Sequence, residues 1–211
     1  MRRWYPLLLV VVAIAASAMV YPQLPDRVPT HWNAHGQVNG YSSKAFAAGF
    51  MPVLLLAMWG ILRLLPTIDP RRENYAKFQS TYDLVVNTVL TLVLVIHLGV
   101  LAAARGRNVA FTRLLPAAVG VMFIVMGYAM PRARPNWWFG IRTPWTLSND
   151  RVWERTHRVG GYLFVALGVA SVASALLPSA VAFGVVGVLG AATSLATVIY
   201  SYVVWKQETS R

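Results

Sequence analysis

The chain of 211 residues contains no cysteine, so disulfides, thiolate nucleophiles and cysteine metal sites are all excluded. Charge is scarce as well. Only 12% of the residues are Asp, Glu, Lys or Arg, and just seven of these are acidic. Any metal would have to rely on His, Asp or Glu, and paired catalytic carboxylates have few residues to draw on. With 57% hydrophobic residues and a mean hydropathy of +0.53, the composition excludes an ordinary soluble domain. The net charge of +12 does not indicate nucleic acid, because the cations lie between long apolar runs and form no basic domain. No direct nucleic-acid contact is expected.

Six apolar stretches are long enough to span a bilayer: Trp4 to Tyr21, Ala45 to Leu65, Leu84 to Ala104, Leu114 to Met130, Val159 to Leu177, and Ala180 to Trp205. The expected fold is all-α, a six-helix transmembrane bundle with a structured external loop and a long cytoplasmic loop leading into the fifth helix. Two units are expected: residues 1–65 with external loop 22–44, and residues 66–211 with the motif 136–161. Met1, Arg2 and Arg3, followed by an apolar run and Ala16-Ser17-Ala18, also resemble a signal peptide. The run is long for that role, and an uncleaved first helix is the preferred reading.

With the N-terminus inside, fourteen Lys and Arg fall on the inner side and five on the outer. This bias places both termini and the segment 131–158 in the cytoplasm. Pro52 is expected to kink the second span. In the third, Asp83, Asn87, Thr91 and His97 share an arc of about 120° at 100° per residue. The stripe should face protein. It reads as polar glue between helices, or alternatively as the pathway of a small-solute or ion transporter. Gly160, Gly161, Gly168 and Ser171 in the fifth span and Gly184, Gly187, Gly190 and Ser194 in the sixth are expected to let these two helices approach closely.

In the external loop, three prolines and two glycines rule out a continuous helix, and Asn39-Gly40 signals a turn. His31 and His35 could bind a metal with Asp26 if that piece were helical. Pro29 and Gly36 argue against a helix, so ordinary hydrogen-bonded histidines are expected and no metal.

Polar and aromatic residues gather at Asn136 to Gly161, where four tryptophans, four arginines, a histidine and two carboxylates occur together. Ser148 is expected to cap a helix carrying Asn149 and Asp150 in its first turn, with Glu154 paired to Arg158. Trp153, Thr156, His157 and Gly160 would share one face. The segment reads either as an interfacial anchor for lipid headgroups or as a binding surface in which Arg142 stands beside Thr143 and Trp145. No nucleophile with its base, phosphate loop or cofactor fingerprint is present, so no enzyme and no cofactor are expected.

The run Phe139-Gly140-Ile141-Arg142-Thr143-Pro144-Trp145-Thr146-Leu147-Ser148, followed by Val152, Trp153, Thr156, His157, Arg158 and Gly160-Gly161, resembles the signature of the SdpI immunity proteins, which are bacterial multi-pass membrane proteins. The external loop resembles that family's N-terminal domain of unknown function through Leu24, Pro25, Pro29, His31, Trp32, Asn33, Gly36, Gly40, Tyr41 and Lys44. The resemblance implies a protein of the bacterial inner membrane that gives immunity to a membrane-active peptide toxin. It also implies signalling, by holding a cytoplasmic repressor protein at the membrane. Asn136, Trp137 and the motif residues above would then be the binding or signalling site, and membrane lipids, the toxin and the repressor the partners.

Overall fold

The computed structural model describes residues 4–210; Met1, Arg2, Arg3 and Arg211, used in the charge count, lie outside the described residues. The fold is mainly helical: α1 Tyr5–Val20, α2 Lys44–Ile68, α3 Gln79–Ala104, α4 Phe111–Ala129, a short α5 Pro144–Ser148, α6 Asp150–Ser174 and α7 Ser179–Thr209. Among the described residues, five helices are long and apolar enough to cross a membrane: Tyr5–Gln23, Lys44–Ile68, Gln79–Ala104, Phe111–Arg132 and Ser179–Thr209. Their outward faces are apolar where water would disfavour them, as at Val11, Val53, Val121 and Val188. These features define a membrane protein. The expected fifth span, Val159 to Leu177, overlaps the apolar second half of α6 and runs three residues past its end; α6, polar in its first half, is not among these five helices.

The external loop corrects the all-α expectation. Residues Arg27–Trp32 (β1) and Val38–Ser43 (β2) pair as an antiparallel hairpin. The turn is not at Asn39-Gly40. It falls at Asn33 to Gly36, where Asn33 Oδ1 accepts from the backbone N–H of His35 and of Gln37, both at 3.0 Å, and Gly36 takes φ of 79°. Gly40 instead lies in β2 opposite His31, where a Cβ would come within 2.8 Å of the histidine Cβ. The hairpin is seated by Val28, and by Trp32 packed at a tilt of 32° on Phe111 with centroids 4.1 Å apart, over the end of α3 and the start of α4.

Pro52 and Pro66 both lie inside α2, which continues through them. On α3 the polar stripe faces protein. His97 is fully buried, with Nε2 2.9 Å from Ser17 Oγ of α1, and Ser17 in turn donates to the Ala48 carbonyl of α2 at 2.7 Å. Thr91 Oγ1 meets Tyr5 Oη at 2.8 Å, Asn87 is buried, and half-buried Asp83 accepts from Gln79 at 2.7 Å. The Thr91 and His97 bonds join α3 to α1 and the Ser17 bond joins α1 to α2, whereas the Gln79–Asp83 bond stays within α3.

The glycine expectation is corrected in its partner. Gly161 and Gly168 of α6 meet α4, not α7. A Cβ on Gly127 would be 2.6 Å from the Gly161 carbonyl oxygen, and one on Gly120 2.7 Å from that of Gly168. The two glycine pairs are seven residues apart on each helix, about two turns, so they bring the backbones together twice along one crossing. Gly184, Gly187 and Gly190 of α7 have nothing within 4 Å.

Candidate functional site

At the end of the bundle away from the hairpin, the chain from Met130 to Ser148 folds into an irregular platform between α4, α6 and α7. Prolines and glycine deny it a regular helix, so its backbone polar groups must be satisfied one at a time. Asn136, fully buried, does most of this. Its Oδ1 accepts from the N–H of Phe139 at 2.7 Å and of Trp138 at 2.9 Å, and its Nδ2 donates to the carbonyls of Arg134 at 2.8 Å and Phe139 at 3.1 Å. The Tyr75 hydroxyl is shared between Asn136 Oδ1 at 3.2 Å and Asp69 Oδ2 at 3.0 Å.

Asp69 and Tyr75 belong to the connection between α2 and α3, which the sequence did not mark as part of the site. The connection clamps the platform. Asp69, only 2% exposed, accepts from the Trp137 N–H at 2.9 Å; Asn74 donates to the Pro135 carbonyl at 2.8 Å; Arg71 donates to the Leu147 carbonyl and to Asp150, both at 3.0 Å. Burial, followed by the hydrogen bond to the Asp69 carboxylate, pushes the Tyr75 phenol well above its usual range, so it remains a donor. The available sequence signal was Asp69-Pro70 directly after an apolar span, in a chain with few acids.

The second half of the motif is held from α6. Gly140 takes φ of 105° and turns the chain so that the Ile141 N–H donates to His157 Nε2 at 2.9 Å. Since Nε2 accepts, the proton is on Nδ1, which donates to the Trp153 carbonyl at 2.8 Å. Trp153 stacks on the imidazole with centroids 3.9 Å apart, and its indole N–H donates to the Ala133 carbonyl at 3.0 Å. Gly160 leaves room for Ile141, whose Cδ1 would be 2.3 Å from a Cβ there. Thr156 is fully buried on the same face, so Trp153, Thr156, His157 and Gly160 do point together.

Thr143 and Thr146 form a capping box around α5, with Pro144 at its first position. This displaces the expected cap: Ser148 ends α5, and Asn149 caps α6 by accepting from the N–H of Arg151 and Val152. Glu154 pairs with Arg158 at 2.9 Å as expected. Thr143 Oγ1 reaches Ser201 of α7 at 3.0 Å, and Trp145 packs on Tyr202 of the same helix. Arg142 is exposed and donates one hydrogen bond, from Nη1 to the Trp137 carbonyl at 2.8 Å. Trp137 and Trp138 are exposed beside it.

The structure brings together the motif residues, but not the other candidates. His31, Trp32, Asn33 and Gly36 are at the opposite end, with His31 Nδ1 bonded to Asn39 Oδ1 at 2.5 Å. Asp26 pairs with Lys44, and no group of three metal-ligating side chains occurs among the described residues. Asp83, Asn87 and His97 are spread over fourteen positions of α3, about 21 Å along a helix.

His157 carries a pH prediction. Burial pushes its imidazole down to about 4, against about 6.5 in an unfolded chain. The neutral ring's contribution is therefore complete above about pH 6.5 and is lost as pH falls towards 4, amounting to roughly 3 kcal/mol in all. Thermal unfolding in detergent should show this loss between pH 7 and 4, and His157→Gln should remove it. A loss unchanged in the variant would assign it elsewhere.

Long helices with lipid-compatible faces, a polar platform at one end and a hairpin at the other define a multi-pass membrane protein. Residues 132–203, from the platform through most of α7, match the SdpI/YfhL protein family. Residues 8–56, which include the hairpin, match Domain of unknown function (DUF1648). Immunity protein SdpI of Bacillus subtilis (strain 168) is 26% identical over 162 residues, covering 77% of this chain and 75% of that protein. No solved structure matches.

Proposed function

We propose that this protein gives a bacterial cell immunity to a secreted, membrane-active peptide toxin. The observation that carries this reading is the similarity, over 77% of the chain, to a protein named for immunity. The hairpin and the outer helix ends meet the toxin. The platform at the other end carries stability or signal, and the signalling role is to hold a repressor protein at the membrane. No catalytic step is assigned.

Six crossings of the inner membrane, with both termini and the platform cytoplasmic, fit this reading. They are supported by the placement of hairpin and platform at opposite ends of α3 and by the charge bias. Alkaline phosphatase fused after Lys44 or Pro178 should be active, and silent after Arg72 or Asp150. The reverse pattern would place the platform outside.

The function is tested by expressing the chain in a toxin-sensitive bacterium and measuring survival under toxin challenge. Survival above the empty-vector strain is expected. Killing equal to that strain, with folded protein present in the membrane, would refute it.

A further inference from the structure

At the start of the platform, against α6, is a cleft of about 460 Å³ to which the immunity reading gives no role of its own. One wall is Pro131, Ala133 and Pro135, the end of α4 and the strap that follows it; the other is the first turns of α6, with Trp153 between them. Two prolines fix φ along that strap, and the Trp153 indole is held by its hydrogen bond to Ala133 and its stack on His157, so the cleft is preformed.

The charges around the cleft do not balance. It is lined by three cations, Lys77, Arg134 and Arg151, and by two carboxylates, Asp150 and Glu154. Both carboxylates are engaged by arginines that do not line it: Asp150 by Arg71 at 3.0 Å and Glu154 by Arg158 at 2.9 Å. Arg151 leans out to Glu208 at 3.6 Å, and Lys77 donates to the neutral Asn74 Oδ1 at 3.0 Å. Arg134 makes no ion pair and no side-chain hydrogen bond among the described residues, so its full planar set of donors is available. Two charges, those of Lys77 and Arg134, are thus left over at one polar cavity.

The cleft also lies at a particular height. Pro131 packs against Gly161, where a Cβ would come within 3.0 Å of the proline ring, and there α6 passes from its polar half into its apolar half. On the span assignment above, that is the level of phospholipid headgroups. Basic pockets between helices on this side suit anionic headgroups, with Arg as the fork for phosphate oxygens and Lys as a point charge.

We infer that this cleft binds the phosphate group of an anionic phospholipid, with Arg134 and Lys77 as its principal donors. The proposed toxin contact is at the hairpin end of the bundle, so failure of the immunity reading would leave this site standing.

The full chain would be placed in nanodiscs of equal phosphatidylglycerol and phosphatidylcholine, and the lipid retained on release measured by native mass spectrometry. Phosphatidylglycerol should be enriched. Arg134→Gln and Lys77→Gln should each reduce the enrichment about fivefold, the worth of one cation near an anionic surface. Arg107→Gln, which removes a charge from the connection at the other end of α3, should leave it unchanged. Equal retention of the two lipids, or enrichment that survives both cleft variants, would overturn the inference. Inorganic phosphate titrated by calorimetry against phosphatidylcholine nanodiscs separates the two sources of the anion. No heat is expected; binding there that is lost in Arg134→Gln would make this a soluble-phosphate site and overturn the lipid assignment.

Discussion

Replacing Asn136 by alanine is expected to cost about 3–5 kcal/mol and to loosen the strap at Arg134, Trp138 and Phe139, while the Asp69 and Asn74 bonds still hold Trp137 and Pro135. The side chain is fully buried and serves two backbone donors, two backbone carbonyls and the Tyr75 hydroxyl. Alanine would leave those groups without partners, in a place where an unpaired buried polar group costs about 1–3 kcal/mol. The comparison variant is Asn74→Ala. It removes one part-buried bond, to the Pro135 carbonyl, and the exposed partner of Lys77, and should cost about 1 kcal/mol. Thermal unfolding in detergent, with hydrogen exchange at Trp138 and Phe139, checks both. Equal, small effects would mean that the strap is held by its apolar contacts instead.

Gly140→Ala is the second large effect, expected at about 2–4 kcal/mol. Two causes add. The backbone has φ of 105°, which an L side chain adopts at a cost, and the new Cβ would come within 2.3 Å of His157 Nε2. The imidazole is held on both sides, by the Ile141 N–H and the Trp153 carbonyl, and it has no free direction in which to retreat. Gly106→Ala separates the two causes, because Gly106 also has positive φ, 77°, but open space around it. It should cost about 1 kcal/mol, the conformational part alone. If the two variants cost the same, the clash with His157 contributes nothing.

Much of this arrangement was legible in the sequence because it depends on local chemistry. Apolar length located α2, α3, α4 and α7 to within a few residues, and the crowding of tryptophan and arginine located the platform. What the sequence hid depends on partners distant in the chain. Gly161 and Gly168 of α6 carry no mark of whether they face α4 or α7; chain adjacency suggested α7, and backbone approach at Gly120 and Gly127 decided for α4. Asn39-Gly40 is a good two-residue turn, but the Asn33 side chain closes a longer one earlier and leaves Gly40 to pass over His31. Ser148 was a sound cap in isolation. It lost that role because the Thr143-Thr146 box starts a separate helical turn just before it. Asp69-Pro70 after an apolar span marked the position only weakly, since the importance of Asp69 comes from Trp137, 68 positions away.

The central claim is that the platform presents a recognition surface and is more than an anchor in the headgroups. Arg142 is the residue that separates the two. Its guanidinium is exposed and gives one hydrogen bond to the Trp137 carbonyl, which leaves most of its donors facing outward beside two exposed tryptophans. A partner that uses the planar fork would not accept lysine, whereas a headgroup anchor would, either cation being worth about 1 kcal/mol there. The measurement is survival of a sensitive strain under toxin, with Arg142→Lys and Arg151→Lys expressed at matched levels in the membrane. The account predicts that Arg142→Lys loses most of the protection and Arg151→Lys little; equal survival of the two would contradict it.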